Sequence, residues 1–336
     1  MAAKPSVVSP KSLLAGGALL AVLLGWLVMG QGVHSLDDLK RVFAGEETTT
    51  TATETANPPV ARAGETIRVG SFNIQVFGES KLAKPHVMRR LADIARRFDI
   101  LAIQEVRSIN QDILPTFVEM INENGARYDY VIGPRIGRTV SKEQYAFVFD
   151  TASVAVDRNQ IYTVDDPYDR LHREPLCVPF QVRGPAAELA FTFMLVNIHT
   201  DPDETDEELD ALADVYMAVK AASGGEDDII ILGDLNVDDQ HLGRLGQISG
   251  IDVVIRNQAT NTRGTAQYDN IVFHSRATQE FSGKGGVFDL LREYNLTMEE
   301  ALEISDHLPV WAELSIYEGG QPGRIAARPD GAAPTR

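Results

Sequence analysis

Three features of the 336-residue sequence predict an α/β layered fold. Short segments rich in β-branched and aromatic residues recur along the chain, helix-period segments stand between them, and a 44% hydrophobic content supplies a core for one large domain. The same composition, with 24% charged residues, excludes a wholly disordered, collagen-like or many-span membrane chain.

Residues 67–72, 100–103, 128–132, 145–149, 189–196, 228–232, 269–273 and 309–314 read as strands. Residues 86–98 read as a helix, with Val87, Leu91, Ile94 and Phe98 spaced to share one apolar face. Residues 207–222 read as another. An acidic run from Asp201 to Asp214 holds eight carboxylates in fourteen residues. It is expected to be the solvated face of that second helix, with Leu209, Leu212 and Tyr216 turned inward.

Ahead of this domain, residues 12–30 (SLLAGGALLAVLLGWLVMG) carry no charge over nineteen positions. As a helix they span roughly 28 Å, close to the hydrocarbon thickness of a bilayer. The run exceeds the apolar stretch of about 7–15 residues usual in a secretory signal, and no cleavage pattern follows it directly. A single transmembrane anchor is therefore expected, with a cleaved signal as the alternative. Lys4 and Lys11 leave residues 1–11 in the cytoplasm and the remainder on the extracytoplasmic side. Residues 31–66, with threonines at 48–51 and Asn57-Pro58-Pro59, read as a Thr/Pro-rich linker. Residues 318–336 read as a disordered tail, which leaves 67–317 as the globular domain.

Thirty-one basic and 48 acidic side chains give a net charge of −17. Residues 1–30 carry +2, 31–66 carry −3 and 318–336 carry +1, so all of the excess belongs to residues 67–317. Such a domain has no general attraction to nucleic acid or anionic lipid, which excludes a bulk phosphate-coating role. The one cysteine, Cys177, excludes an intrachain disulfide and a cysteine-rich zinc module.

Polar residues stand at the ends of the apolar strands: Asn73, Gln104-Glu105, Asn197 and His199, Asp234 and Asn236, Tyr268, and Ser305-Asp306-His307. Charges abutting buried strands are costly unless paired or bound to a cation, so their recurrence points to a shared site at one sheet edge. The oxygens of Asn73, Glu105, Asn236 and Asp306 suit a hard divalent ion, Mg²⁺, Mn²⁺ or Ca²⁺. His199 and His307 suit general base and acid, with Glu143 and Asp269 available to fix their tautomers. Metal, base and acid together fit hydrolysis of a phosphate ester. The bland alternative is a scatter of structural residues, with Asn73 and Asp234 in turns and His307 capping a strand. His34, His86, His172, His241 and His274 read as ordinary surface or boundary histidines.

The segments SFNIQVFGES (71–80), RRFDILAIQEVRS (96–108), SKEQYAFVFD (141–150), ILGDLNVD (231–238), YDNIVF (268–273) and ISDHLPVWAEL (304–314) resemble the endonuclease/exonuclease/phosphatase superfamily. Within it, FNIQVFGESK, QEVRS, HREPLCVPF (172–180) and EEALEISDHLPV (299–310) are most similar to deoxyribonuclease I-like nucleases. The resemblance implies a four-layered α/β sandwich of two packed mixed β-sheets flanked by helices, with the site at the open sheet edge. It puts Glu105 on the catalytic metal with help from Asn73 and Asp306. It pairs Glu143 with His199 and Asp269 with His307, and gives Asp234 and Asn236 the scissile phosphate or the attacking water. Arg107 resembles the arginine that enters the DNA minor groove, and Arg173 one that contacts phosphate.

Two positions depart from that pattern. Gln75 replaces an arginine, and Ser141 replaces a groove-stacking tyrosine, which removes a cation and an aromatic from the duplex-reading surface. The family's disulfides are absent as well. The expected function is a membrane-anchored, divalent-metal-dependent endonuclease acting on DNA, with no protein partner implied. A same-superfamily phosphodiesterase or phosphatase acting on phospholipid or other phosphate esters is the alternative, and an idle binding domain is a third reading.

Overall fold

Period-two alternation in the strands sorts apolar side chains onto opposite faces, and that sorting generates the architecture. The computed structural model describes residues 64–139 and 142–320. The expected anchor, most of the linker, the tail beyond 320 and Ser141 lie outside the described residues. Among the described residues no helix is long and apolar enough to cross a membrane.

Strands β1 (Thr66–Phe77), β2 (Ile100–Val106), β3 (Tyr128–Ile132), β4 (Gln144–Asp150), β12 (Phe281–Val287) and β13 (Val310–Ser315) form one sheet in the order β12-β13-β1-β2-β4-β3. The second sheet runs β10 (Ile251–Val253), β11 (Asp269–His274), β9 (Ile229–Asp234), β8 (Thr192–His199), β7 (Leu176–Val182), β5 (Val154–Val156), and β6 (Tyr162–Thr163) also pairs with β7. Both sheets are mixed, because β1–β2 and β8–β9 pair parallel while their other neighbours pair antiparallel.

Ile100 and Ala102 of β2 join Phe193 and Leu195 of β8 in a core between the sheets. The intervening Leu101 and Ile103 face a second core shared with helices α2 (Pro85–Ala95) and α3 (Ile113–Asn122). Met194 and Val196 of β8 face a third, built on α4 (Thr205–Ala222) and the short α5 (Gly243–Gln247). Three separate cores thus give helix, sheet, sheet and helix layers, and each fully buried large side chain contributes about 1.5–3 kcal/mol. Short helices α1 (Glu79–Leu82), α6 (Leu290–Tyr294) and α7 (Met298–Ile304) complete the described elements. Thr297 caps α7 with a capping box closed by Glu300.

The expected helix 86–98 stops at Ala95, yet Phe98 stays buried in the turn that follows it. The expected strand 189–196 is shifted: Leu189 closes a turn on the Ala186 carbonyl, and β8 runs from Thr192 through His199. Leu209, Leu212 and Tyr216 are buried as expected, but Glu208 of the acidic run is buried too. Its carboxylate accepts the backbone N–H groups of His172 and Asp201, which ties the start of α4 to the loop before β7. His172, read as a surface or boundary residue, is correspondingly buried at 7% exposure and stands 3.4 Å from Asp201.

Candidate active site

Strand register brings the polar residues together. In the second sheet His199 pairs with Asp234 on one side of β9, and Asp269 pairs with Asp234 on the other. In the first sheet Asn73 pairs with Gln104 of β2, after which the β1–β2 register slips. At that slip Val76 and Glu105 take left-handed backbone angles, φ 51° and 61°, strained for a β-branched and a long side chain. The Val76 N–H donates to Glu105 Oε2 at 2.8 Å, so the irregularity holds the carboxylate at the sheet end.

The sheets meet through polar contacts. Asn73 Nδ2 donates to Asp234 Oδ2 at 2.9 Å. Deeper in, Gln104 donates to Asn197 Oδ1 at 2.7 Å, and Asn197 donates to the Ile103 and Ala146 carbonyls. That buried pair is a bridge between the sheets.

Two carboxylate–histidine dyads flank Asp234. Glu143 Oε1 lies 2.8 Å from His199 Nδ1, and Asp269 Oδ2 lies 2.9 Å from His307 Nδ1. Both carboxylates are fully buried. The far nitrogens, Nε2 of His199 and Nε2 of His307, each stand 3.5 Å from the same oxygen, Asp234 Oδ2. Burial works to lower the His199 pKa, but the charges of Glu143 and Asp234 prevail and hold it above 6.5. Burial likewise opposes protonation of His307, yet Asp269 and Asp234 lift it to about 10. Burial raises the Glu143 carboxyl, and the adjacent His199 and Arg173 outweigh that effect and hold it below its usual range.

The remaining expected residues surround this centre. Asp306 Oδ2 accepts from Gln75 Nε2 at 2.9 Å, and Oδ1 is 4.0 Å from His307 Nε2. Asn236, at φ 52°, donates its backbone N–H to Asp234 Oδ1 and its amide to the Thr200 carbonyl. Arg107 is 3.1 Å from Glu105 Oε2 and 3.5 Å from Glu143 Oε2, linking the metal-type and dyad carboxylates. Arg173 is 5% exposed and donates to the His199 and Thr200 carbonyls at 3.0 and 3.1 Å, with Glu143 at 3.5 Å. It therefore braces the end of β8 as well as the first dyad.

Sequence reasoning missed several supports. The Thr260 hydroxyl donates to Asp269 Oδ2 at 2.7 Å, the Tyr145 hydroxyl accepts from the His199 N–H at 2.9 Å, and the Ser305 hydroxyl donates to the Asn73 carbonyl at 2.7 Å. Lys81 is buried and donates to the Glu303 and Ile304 carbonyls; burial lowers its pKa to about 8 against the pull of Asp306. Ser305, Tyr145 and Lys81 stand in segments that carry the family resemblance, but nothing in those segments names their partners. Their contacts form across the fold between segments distant in sequence, and Thr260 lies outside the resembling segments.

The donor set fits a hard cation. Asn73 Oδ1 is buried with no hydrogen-bond partner, and the amide of Asn73 stands 3.4 Å from Glu105 Oε1; beside them Asp234, Asp269 and His307 form a second set of ligand-type atoms within 4.8 Å of one another. Carboxylates, amide oxygens and paired histidines at the ends of two packed sheets define a phosphate-ester hydrolase by class. The chain belongs to the Endonuclease/Exonuclease/phosphatase family, which it matches over residues 70–307. It is 34% identical over 261 residues to deoxyribonuclease gamma of Rattus norvegicus, covering 73% of this chain and 83% of that protein. It is 33% identical over 271 residues to deoxyribonuclease-1-like 1 of Cricetulus griseus, covering 76% and 86%. The fold is also that of the human Nocturnin catalytic domain, with TM-score 0.51, 17% identity and coverage of 75% and 95%.

Proposed function

We propose that the chain is a divalent-metal-dependent endonuclease that hydrolyses DNA phosphodiester bonds. The observation that carries this reading is the convergence of both histidine Nε2 atoms, each 3.5 Å away, on one Asp234 oxygen. Names of the 34% and 33% identical relatives supply the substrate class.

The two dyads differ in their electrostatics, and the difference supports separate roles for them. The charge of Arg173 works to lower the His199 pKa, whereas three carboxylates, Asp269, Asp234 and Asp306, act to raise that of His307. His199 is accordingly the base that takes a proton from the attacking water at Nε2, with Glu143 stabilising the imidazolium. His307 is the acid that gives its Nε2 proton to the leaving 3′ oxygen, and Asp269 fixes its tautomer through Nδ1. Asp234 and Asn236 orient the water and the scissile phosphate between the two rings. Glu105, Asn73 and Asp306 would hold a Mg²⁺ or Mn²⁺ ion, with Ca²⁺ as a further candidate. When bound, that ion neutralises charge developing on the phosphate oxygens. Arg107 supplies a cation at the edge facing the substrate, and Arg173 holds Glu143 and His199 in line.

The reading includes a membrane anchor at residues 12–30, with the catalytic domain on the extracytoplasmic side. Its support is the uncharged run together with Lys4 and Lys11. Cleavage of the Thr-rich segment by protease added to intact cells is the expected result, and cleavage only after lysis rejects it.

The activity test is nicking of supercoiled plasmid by the full-length protein in a metal series. Nicking with Mg²⁺ or Mn²⁺, abolished by EDTA and strongly reduced by His307→Ala with folding retained, is expected. Intact plasmid together with hydrolysis of a phospholipid headgroup or an inositol phosphate would transfer the assignment to the alternative substrates. Gln75, whose amide is spent on Asp306, is the feature that favours that second reading.

A further inference from the structure

A second group of carboxylates lies at the opposite end of strand β9. Asp228 immediately precedes β9 and Asp234 ends it, which separates them by roughly 20 Å at about 3.3 Å per residue. Asp228 and Glu280, the residue before β12, are each 1% exposed, and Glu318 opens the 3₁₀ turn Glu318–Gly320 that follows β13. One oxygen from each of the three falls within 4.8 Å of the others.

Glu280 and Glu318 each use one oxygen to hold the backbone, and Asp228 uses neither of its own. Glu280 Oε1 accepts the Gly319 N–H at 2.5 Å, and Glu318 Oε2 accepts the Thr192 N–H at 3.2 Å. The neighbouring Glu226 is fully engaged by the Asp228 N–H at 2.9 Å and the Thr192 hydroxyl at 2.5 Å. Both Asp228 oxygens and Glu280 Oε2 are buried without a well-formed hydrogen bond, as is the hydroxyl of Thr278, which lies close enough to act on Asp228. Burial first, then Glu280, Glu226 and Glu318, push the Asp228 carboxyl up to about 8, and burial with Glu318 pushes Glu280 up to about 7. No cation is among the strongest influences on either group. Buried acids crowded together in this way lack a positive charge.

We propose that Asp228, Glu280 and Glu318, with the Thr278 hydroxyl, form a structural calcium site remote from the candidate active site. An all-oxygen, irregular set with Glu318 open to solvent suits Ca²⁺, which takes six to eight oxygens in flexible geometry, better than Mg²⁺ with its strict octahedron. Glu280 and Glu318 flank β12 and β13 of the six-stranded sheet and Asp228 flanks β9 of the seven-stranded one, so the ion would join segments that lead into the two sheets. Its role is the one a disulfide would fill, in a chain whose one cysteine is buried and free.

The test compares chelator-stripped full-length protein with Glu280→Gln and Glu318→Gln by equilibrium dialysis against Ca²⁺ and by thermal unfolding. Wild type is expected to bind about one more Ca²⁺ equivalent than Glu280→Gln, because any ion at the active site cancels in the difference. Ca²⁺ at about one hundred times its dissociation constant raises the wild-type Tm by roughly 5–10 °C, and Glu280→Gln loses that gain. Glu318→Gln, at an exposed position that tolerates substitution, weakens the affinity about tenfold or more. Equal equivalents and equal Ca²⁺-induced shifts in wild type and Glu280→Gln would overturn the site and leave the two carboxyls sharing a proton. Should Glu280→Gln fail to fold, an unchanged affinity in Glu318→Gln overturns it alone.

Discussion

Asn73 donates its amide to Asp234 across the gap between the two sheets, at 2.9 Å, while its own Oδ1 has no partner. One side chain from the six-stranded sheet thereby orients the carboxylate on which His199 and His307 converge. Removing that donor takes away one of the bonds that hold Asp234, which keeps the Asn236 N–H, and deprives the proposed metal of an oxygen. Asn73→Ala is expected to lower kcat by about 10²–10³-fold with a smaller change in KM, measured by steady-state plasmid nicking. Full activity in this variant would show that the inter-sheet bond is only structural.

His307→Ala removes the proposed acid. The expected loss in kcat is about 10²–10⁴-fold. The wild-type rate should fall as alkaline pH strips the proton that His307 holds to about 10, and the residual rate of the variant should lack that fall. A variant profile that keeps the same alkaline limb assigns the proton to another group.

Glu143→Gln tests the first dyad through stability. The folded-state pKa of Glu143 lies below 4.5, so its charge stabilises the fold fully above that value, and the contribution is lost as pH falls through the folded pKa. His199 has the opposite sign: its folded pKa lies above 6.5, so its contribution is complete below that value and disappears as pH rises through the folded one. Between the ordinary values of the two groups, 4.5 and 6.5, both contributions are present. Breaking a buried pair costs about 3–5 kcal/mol, so Glu143→Gln should lower Tm clearly at pH 7 and progressively less in acid. Unfolding curves at several pH values measure it; a penalty that stays constant into acid contradicts the pairing.

Gly233 carries a steric rather than an electrostatic burden. Its φ is 152°, and a Cβ built there would meet the Ile198 carbonyl oxygen at 1.8 Å. Gly233→Ala must push β8 and β9 apart just before His199 and Asp234. We expect destabilisation of about 3 kcal/mol or more with loss of activity, read by urea unfolding, whereas Gly125→Ala, with open space around the Cβ, should be much milder.

The eight strands read from the sequence all exist, and most of them end at or beside site residues, since buried β-branched runs ending in polar residues are a strong local signal. β7 escaped notice because Pro179 interrupts it. The structure accommodates that proline in the gap between two partners: β6 pairs with Leu176 and Cys177, and β5 with residues 180–182, so neither needs a Pro179 N–H. β12 contains Gly283, Gly285 and Gly286 and pairs with β13 alone at the sheet edge, where apolar alternation is not required. The letters of the site were legible as a set. Thr260, Tyr145 and Lys81 were not, because each acts through a contact formed only after distant segments pack.

The row His199–Asp234–Asp269 consists of residues directly opposite one another on three adjacent strands. Slipping any one of them by a single position would send its side chain to the other face and dismantle the row. Asn73 adds the requirement that both sheets have docked. Correct long-range pairing and chemical competence are therefore reached together, so regain of activity during refolding reports the last assembly step, and misregistered chains are silent.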